Sequence, residues 1–185
     1  MSSQDSIYPS SLQSLPGHTI RRLHQIATGI FHQEVQASGL TPVQYSALQT
    51  VHDYPGIDQR TLARMIALDA STTAGVVDRL EARELLTRSA SPDDRRVRLL
   101  CLTTEGEALL QQTLPAMWRV QELILAPLSV EQQKTFMQML QLLVTENNDL
   151  SRAPMESATL GKIPRNTRAV SSTHLTLPTT HPLYM

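Results

Sequence analysis

The residue types with the most chemistry to offer lie between positions 60 and 98. Arg60, Arg64, Arg79, Arg83, Arg95, Arg96 and Arg98 concentrate positive charge there, although the whole chain carries a formal net charge of only −1. A local cluster of guanidinium groups is what phosphate neutralisation requires. Ser71 and Thr72 add hydroxyls that donate and accept, at a position that reads as a helix start. A helix start itself favours phosphate. The plainer reading of these hydroxyls is capping, and capping is preferred for Thr73, which falls on the apolar face. Gly75 lies mid-helix, where Gly costs about 1 kcal/mol relative to Ala. It lets the backbone approach base edges, or it admits a close helix–helix contact. Arg95 and Arg96 follow two acids, and their plainer reading is a solvated turn with local ion pairs.

The elements that carry these residues are legible from periodicity. Thr73, Val76, Val77 and Leu80 share one helical face, and Ser71, Ala74, Gly75 and Asp78 share the opposite one. The period then falls to two, over Leu86, Arg88 and Ala90. A Ser-Pro-Asp-Asp turn follows, and then Val97, Leu99 and Cys101 as an inward set. Upstream, a short helix spans Asp58 to Ala67, with Leu62, Ala63 and Ile66 inward. Two short helices, a tight turn and a basic hairpin predict a winged helix-turn-helix. That unit sets one helix in a DNA groove and a loop on the backbone beside it.

Several motifs place this stretch in a known group. They are Leu62-Ala63, Leu68-Asp69-x-Ser71-Thr72-Thr73, Val77-Asp78-Arg79-Leu80-Glu81 and Asp93-Asp94-Arg95-Arg96, followed by Leu102-Thr103-Thr104-Glu105-Gly106. Through them residues 15–150 resemble the MarR family of bacterial transcriptional regulators, most densely over 60–106. Beside these residue readings, the resemblance leaves Ser71, Thr72, Gly75, Arg79, Arg95 and Arg96 as the expected DNA contacts. It gives Arg95 the minor groove, with Asp78 and Asp93 orienting it. It also implies an effector pocket where the first helix, the second helix and the base of the winged part meet, and an aromatic carboxylic acid as its occupant. There Arg21 or Arg22 would pair with the carboxylate, His18 or His24 with a ring hydroxyl, and Tyr45 and Leu23 would supply walls. Two positions depart from the family pattern: Gly75 stands where a large polar residue is common, and Glu84 where Gly is usual.

The flanking segments read as a stem. Ile20, Leu23, Ala27, Ile30 and Val35 keep a helical spacing that Gly39 ends as a left-handed cap. Thr41-Pro42-x-Gln44 is a capping box with Pro at the first helical position. Asp58 and Asp69 cap the two helices that follow. A Thr104-x-x-Glu107 capping box opens a long helix that contains Pro115 and ends at Pro127. Ser129 opens the last helix, where Phe136, Met139, Leu140 and Leu143 line up. These apolar stripes exceed what a small winged domain needs, which predicts a homodimer through the terminal helices.

At 185 residues and 41% apolar content, the chain suffices for a packed core. No apolar run reaches the roughly 18 residues of a membrane span, and no signal peptide opens the chain. Cytoplasm is therefore the expected compartment. Cys101 is the single cysteine and reads as a buried structural thiol. The histidines of the first helix have no metal-ligand spacing. No nucleophile elbow, Gly-rich phosphate loop or pair of carboxylates suggests an enzyme, and no cofactor is implied.

The expectation is a mainly α (α+β) protein. Residues 1–14 are a flexible N-terminus, and 15–150 are a single winged-helix domain. Its DNA-binding part spans 40–103 and its dimer stem 15–38 and 104–150. The Ser/Thr- and Pro-rich 151–185 form a disordered or non-native tail. The expected function is a repressor, released from a pseudo-palindromic double-stranded operator by a small aromatic acid. The alternative is a winged-helix protein–protein module that does not bind DNA.

Overall fold

The structure is a computed structural model that describes residues 11–92 and 94–155. The expectations for 1–10, for Asp93 and for 156–185 lie outside the described residues. Helices α1 (Pro16–Glu34) and α2 (Pro42–Asp53) come first. Strand β1 (Ile57–Asp58) leads into α3 (Gln59–Met65) and α4 (Ala70–Ala82). A hairpin of β2 (Leu86–Ala90) and β3 (Arg98–Leu102) precedes the long α5 (Thr104–Leu125) and α6 (Val130–Glu146).

The chain divides into two compact units, one running to Ser46 and resuming over Ala108–Pro154, the other built on Ala47–Glu107. In the first, Phe31, Val35 and Val120 form a buried cluster against which Ile30, Tyr45, Ala116, Met117 and Ile124 pack. Helix α5 continues through Pro115. Helix α6 buries none of its residues: Leu142 is 60% exposed and Val144 59%.

In the second unit, Leu48, Val51, Ile57, Leu62, Val77, Leu80, Leu86 and Leu100 are fully buried. Each such side chain contributes roughly 1.5–3 kcal/mol, so this core outweighs any surface ion pair on the unit. The sheet order is β1-β3-β2, antiparallel throughout. Strand β1 was not legible from the sequence. It pairs Ile57 with Leu100, and the Gly56 N–H donates to the Leu100 carbonyl at 2.8 Å.

The register corrects the wing pattern by one residue. Leu86 faces Leu102 and Arg88 faces Leu100, so Leu100 is the buried residue of β3. Leu99 and Cys101 take the other phase and are half-buried. Cys101 is therefore not a buried thiol. A one-residue slip of this kind exchanges the two faces of a strand.

Local capping follows the sequence closely. Thr41 and Gln44 exchange side chain-to-backbone bonds at 3.0 and 3.2 Å. Ser129 and Gln132 do the same. Gly39 adopts a left-handed φ of 61°. The start of α5 differs from expectation. Thr103, not Thr104, is the cap, since the Gly106 N–H donates to its hydroxyl at 2.9 Å. Glu107 does not reach back to the helix start, because its carboxylate lies 2.7 Å from His52 Nδ1.

Candidate nucleic-acid interface

Helix α4 is built so that one face is core and the other is open. Thr73, Val76, Val77 and Leu80 are buried, while Ser71, Thr72, Asp78 and Arg79 are exposed. Helix α3 packs beside it, and each of the two ends on a left-handed non-glycine residue. Ala67 has φ 53° and Glu84 has φ 58°. Around Glu84 the bonds Leu85 N–H to Leu80 carbonyl (3.0 Å) and Glu84 N–H to Glu81 carbonyl (2.8 Å) form a Schellman end. The helix thus ends with Glu84 in the strained left-handed position.

Asp69 organises the N-terminus of α4. Its carboxylate accepts from the Thr72 N–H at 2.8 Å and from the Ser71 and Thr72 hydroxyls at 2.6 Å each. The Ser71 hydroxyl bond, followed by those from Thr72, holds the Asp69 carboxyl well below the usual carboxylate range. Both hydroxyls therefore spend their donor bonds on Asp69 and keep acceptor capacity for a partner. The cap itself is Asp69, and the exposed Ser71 and Thr72 remain open to a partner.

Gly75 is half-buried. A Cβ placed there would meet only the Arg79 guanidinium, at 3.5 Å. No neighbouring helix crowds it, so a close helix–helix contact is not the reason for glycine at this position.

The wing tip is an Asp-led turn. The Val97 N–H donates to the Asp94 carbonyl at 2.9 Å, and the Arg96 N–H donates to Asp94 Oδ1 at 2.9 Å. This leaves Arg95 and Arg96 at the exposed corner. Asp94 thus shapes the backbone that presents both guanidinium groups. Asp78, expected to orient Arg95, pairs instead with Arg88 of β2 at 2.7 Å. Arg88 also binds Glu81, one turn further along α4. The Arg88 hydrogen bond lowers the Glu81 carboxyl, and the Glu81 hydrogen bond raises the Arg88 guanidinium. Sequence reasoning gave Arg88 no role; its partners are seven and ten residues away, beyond any helical spacing rule.

The residues proposed to hold an effector sit on α1 and α2. His18 is half-buried, Arg21, Arg22 and His24 are exposed, and Arg22 donates to Gln25 at 3.0 Å. His18 and Arg22 share a helix face. Tyr45 packs on the Phe31–Val35–Val120 cluster. Phe31 is about 13 Å further along α1 than Arg22, at 1.5 Å per residue.

A helix with an open small-residue face, a capped N-terminus and an arginine-tipped wing is an arrangement suited to a duplex groove and its flanking backbone. The comparisons agree. Residues 40–97 match the sequence model of the MarR family. The chain is 30% identical over 141 residues to the HTH-type transcriptional repressor NicR of Pseudomonas putida, covering 76% of this chain and 89% of NicR. Among solved structures, the PcaV transcriptional regulator of Streptomyces coelicolor, in complex with its natural ligand, is 34% identical with a TM-score of 0.70. That match covers 75% of this chain and 98% of PcaV. BpsR of Bordetella bronchiseptica, whose DNA binding is regulated by 6-hydroxynicotinic acid, is 29% identical with a TM-score of 0.70. It covers 74% and 97% of the two chains. The open α4 face and the wing are thus the candidate DNA interface, and the chain belongs to the MarR family of transcriptional regulators.

Proposed function

We propose that the protein is a homodimeric repressor that binds a pseudo-palindromic operator and leaves it when a small aromatic carboxylate binds. Ser71, Thr72, Gly75 and Arg79 would face the major groove, and Arg95 and Arg96 the minor groove and backbone. The observation that carries this reading is the uncrowded face around Gly75, which leaves room for base edges. The exposed apolar residues of α6 and Ile20 of α1, 56% exposed, support pairing through the terminal helices.

The effector class rests on Arg21 and Arg22, whose exposed guanidinium groups suit a carboxylate, with His18 or His24 for a ring hydroxyl. BpsR answers to a hydroxylated aromatic acid of this kind. Tyr45, packed on the Phe31–Val35–Val120 cluster, would serve as an apolar wall. The regulated genes would be neighbours of this one, including genes of aromatic-acid breakdown.

The test is a fluorescence titration of labelled duplexes from the flanking genomic region, followed by a panel of hydroxylated aromatic acids, neutral phenols and aliphatic acids. Release by an aromatic acid, blunted in Arg22→Ala with DNA binding intact, is expected. Failure of every duplex to bind in a salt-dependent manner would favour a protein–protein module. Release by neutral phenols alone would remove the arginine–carboxylate contact.

A further inference from the structure

Ser71, Gly75 and Arg79 lie in one row of α4, each four residues from the next. Ser71 and Arg79 are exposed and Gly75 is half-buried, so the row has a gap at its middle. Helical side chains lean toward the N-terminus of their own helix. Arg79 therefore runs back over the turn that carries Gly75. Its guanidinium reaches the gap: a Cβ at position 75 would lie 3.5 and 3.8 Å from its two terminal nitrogens and 4.0 Å from its central carbon. These are ordinary contact distances, so a methyl group would fit beside it. A longer side chain at 75, the common choice in the family, would take the space that the guanidinium occupies.

Nothing in the fold ties that guanidinium down by charge. It makes no hydrogen bond or ion pair among the described residues. Its helical neighbours at three and four positions are Gly75, Val76, Ala82 and Arg83, none of them acidic. The nearest acids in sequence, Asp78 and Glu81, are both taken by Arg88. An unpaired fork thus lies along the middle of the open face of α4.

We propose that Gly75 is a seat for Arg79, and that the fork held there reads a guanine in each half-site through its O6 and N7 acceptors. The proposal rests on the DNA-binding reading above and deepens it by naming the base that is read. It makes Gly75 a positioning residue that acts through Arg79. A fork laid along the middle of a helix face meets base edges, whereas phosphates flank the groove. Guanine presents two acceptors side by side on its major-groove edge, which matches the planar fork.

The experiment uses the full-length protein and the best-binding duplex from the flanking genomic region, with each guanine replaced in turn by 7-deazaguanine. This base keeps its Watson–Crick pairing and loses the N7 acceptor. The wild type should lose about tenfold in affinity at one guanine in each half-site. Arg79→Lys, which keeps the charge without the fork, should be insensitive there. A double-mutant cycle tests the seat: Gly75→Leu should weaken binding in the wild type and cost less than half as many fold in Arg79→Ala. Leucine favours helix over glycine, and circular dichroism checks each variant. A wild type insensitive at every guanine, or Arg79→Lys as sensitive as wild type, overturns the guanine reading and leaves DNA binding standing. An equal effect of Gly75→Leu in both backgrounds overturns the seat. No salt-dependent binding of any duplex by the wild type overturns the proposal and the DNA-binding reading together.

Discussion

Arg88 of the first wing strand, β2, holds Asp78 of α4 at 2.7 Å. The same guanidinium engages Glu81, so one strand residue covers two acids of α4. Helix and wing are thereby coupled, and charge that would repel phosphate is offset. Exposed pairs of this kind add little stability, about 0–1 kcal/mol. Arg88→Ala should therefore shift the thermal midpoint only slightly while weakening DNA binding about tenfold, which corresponds to 1.4 kcal/mol. A binding titration checks this, and unchanged affinity would limit Arg88 to packing.

Glu84 occupies a left-handed position at φ 58°. A residue with a Cβ costs roughly 1–2 kcal/mol there, and glycine adopts the conformation freely. Glu84→Gly should raise stability by about 1 kcal/mol, read as a higher midpoint in thermal or urea unfolding. A lowered midpoint would show that the Glu side chain outweighs the strain.

Gly106 is required by a close approach. A Cβ there would lie 1.9 Å from the Leu85 carbonyl oxygen, which is backbone and cannot rotate away. The contact belongs to the joint where the Thr103 hydroxyl donates to the Glu84 carbonyl at 2.6 Å. Gly106→Ala should destabilise by about 3 kcal/mol, the upper end for overpacking. A variant as stable as wild type in urea would mean that the start of α5 moves freely.

These positions mark what the sequence made legible. The caps at Thr41, Asp58, Asp69 and Ser129 were readable because each bond spans two or three residues. The winged fold was readable because helical and strand periods change at Leu86. The run Arg98-Leu-Leu-Cys-Leu offers no clean alternation, so its inward phase was misread until pairing with Ile57 and Leu86 set it. Strand β1 is two residues long and exists only through its long-range partner. Thr103 and Thr104 are indistinguishable by type, and Glu107 three residues after Thr104 favoured the wrong one; the Gly106 N–H bond to Thr103 decides it. Arg88 and the Asp94 turn belong to the site because of tertiary placement, which no spacing rule reports.

Asp69 carries the pH dependence of the α4 cap. Its folded pKa is depressed, by the Ser71 hydroxyl first. Its contribution is therefore complete above the ordinary carboxylate value and is lost as pH falls through the lower folded value. Asp69→Ala should melt below wild type at pH 7, and the gap should narrow below about pH 4. Equal gaps at pH 7 and pH 3 in thermal melts would show that the charge of Asp69 does not matter to the cap.

The central claim is that the α4 face and the wing bind DNA. The most direct measurement is the affinity of Arg95→Ala, beside Ser71→Ala and Thr72→Ala, for the best duplex from the flanking genomic region, with circular dichroism on each protein. The account predicts a loss of about 1–3 kcal/mol for Arg95→Ala at unchanged helical signal. It also predicts an altered base preference in at least one of the two hydroxyl variants. Wild-type affinity and preference in all three, with the fold intact, would contradict it.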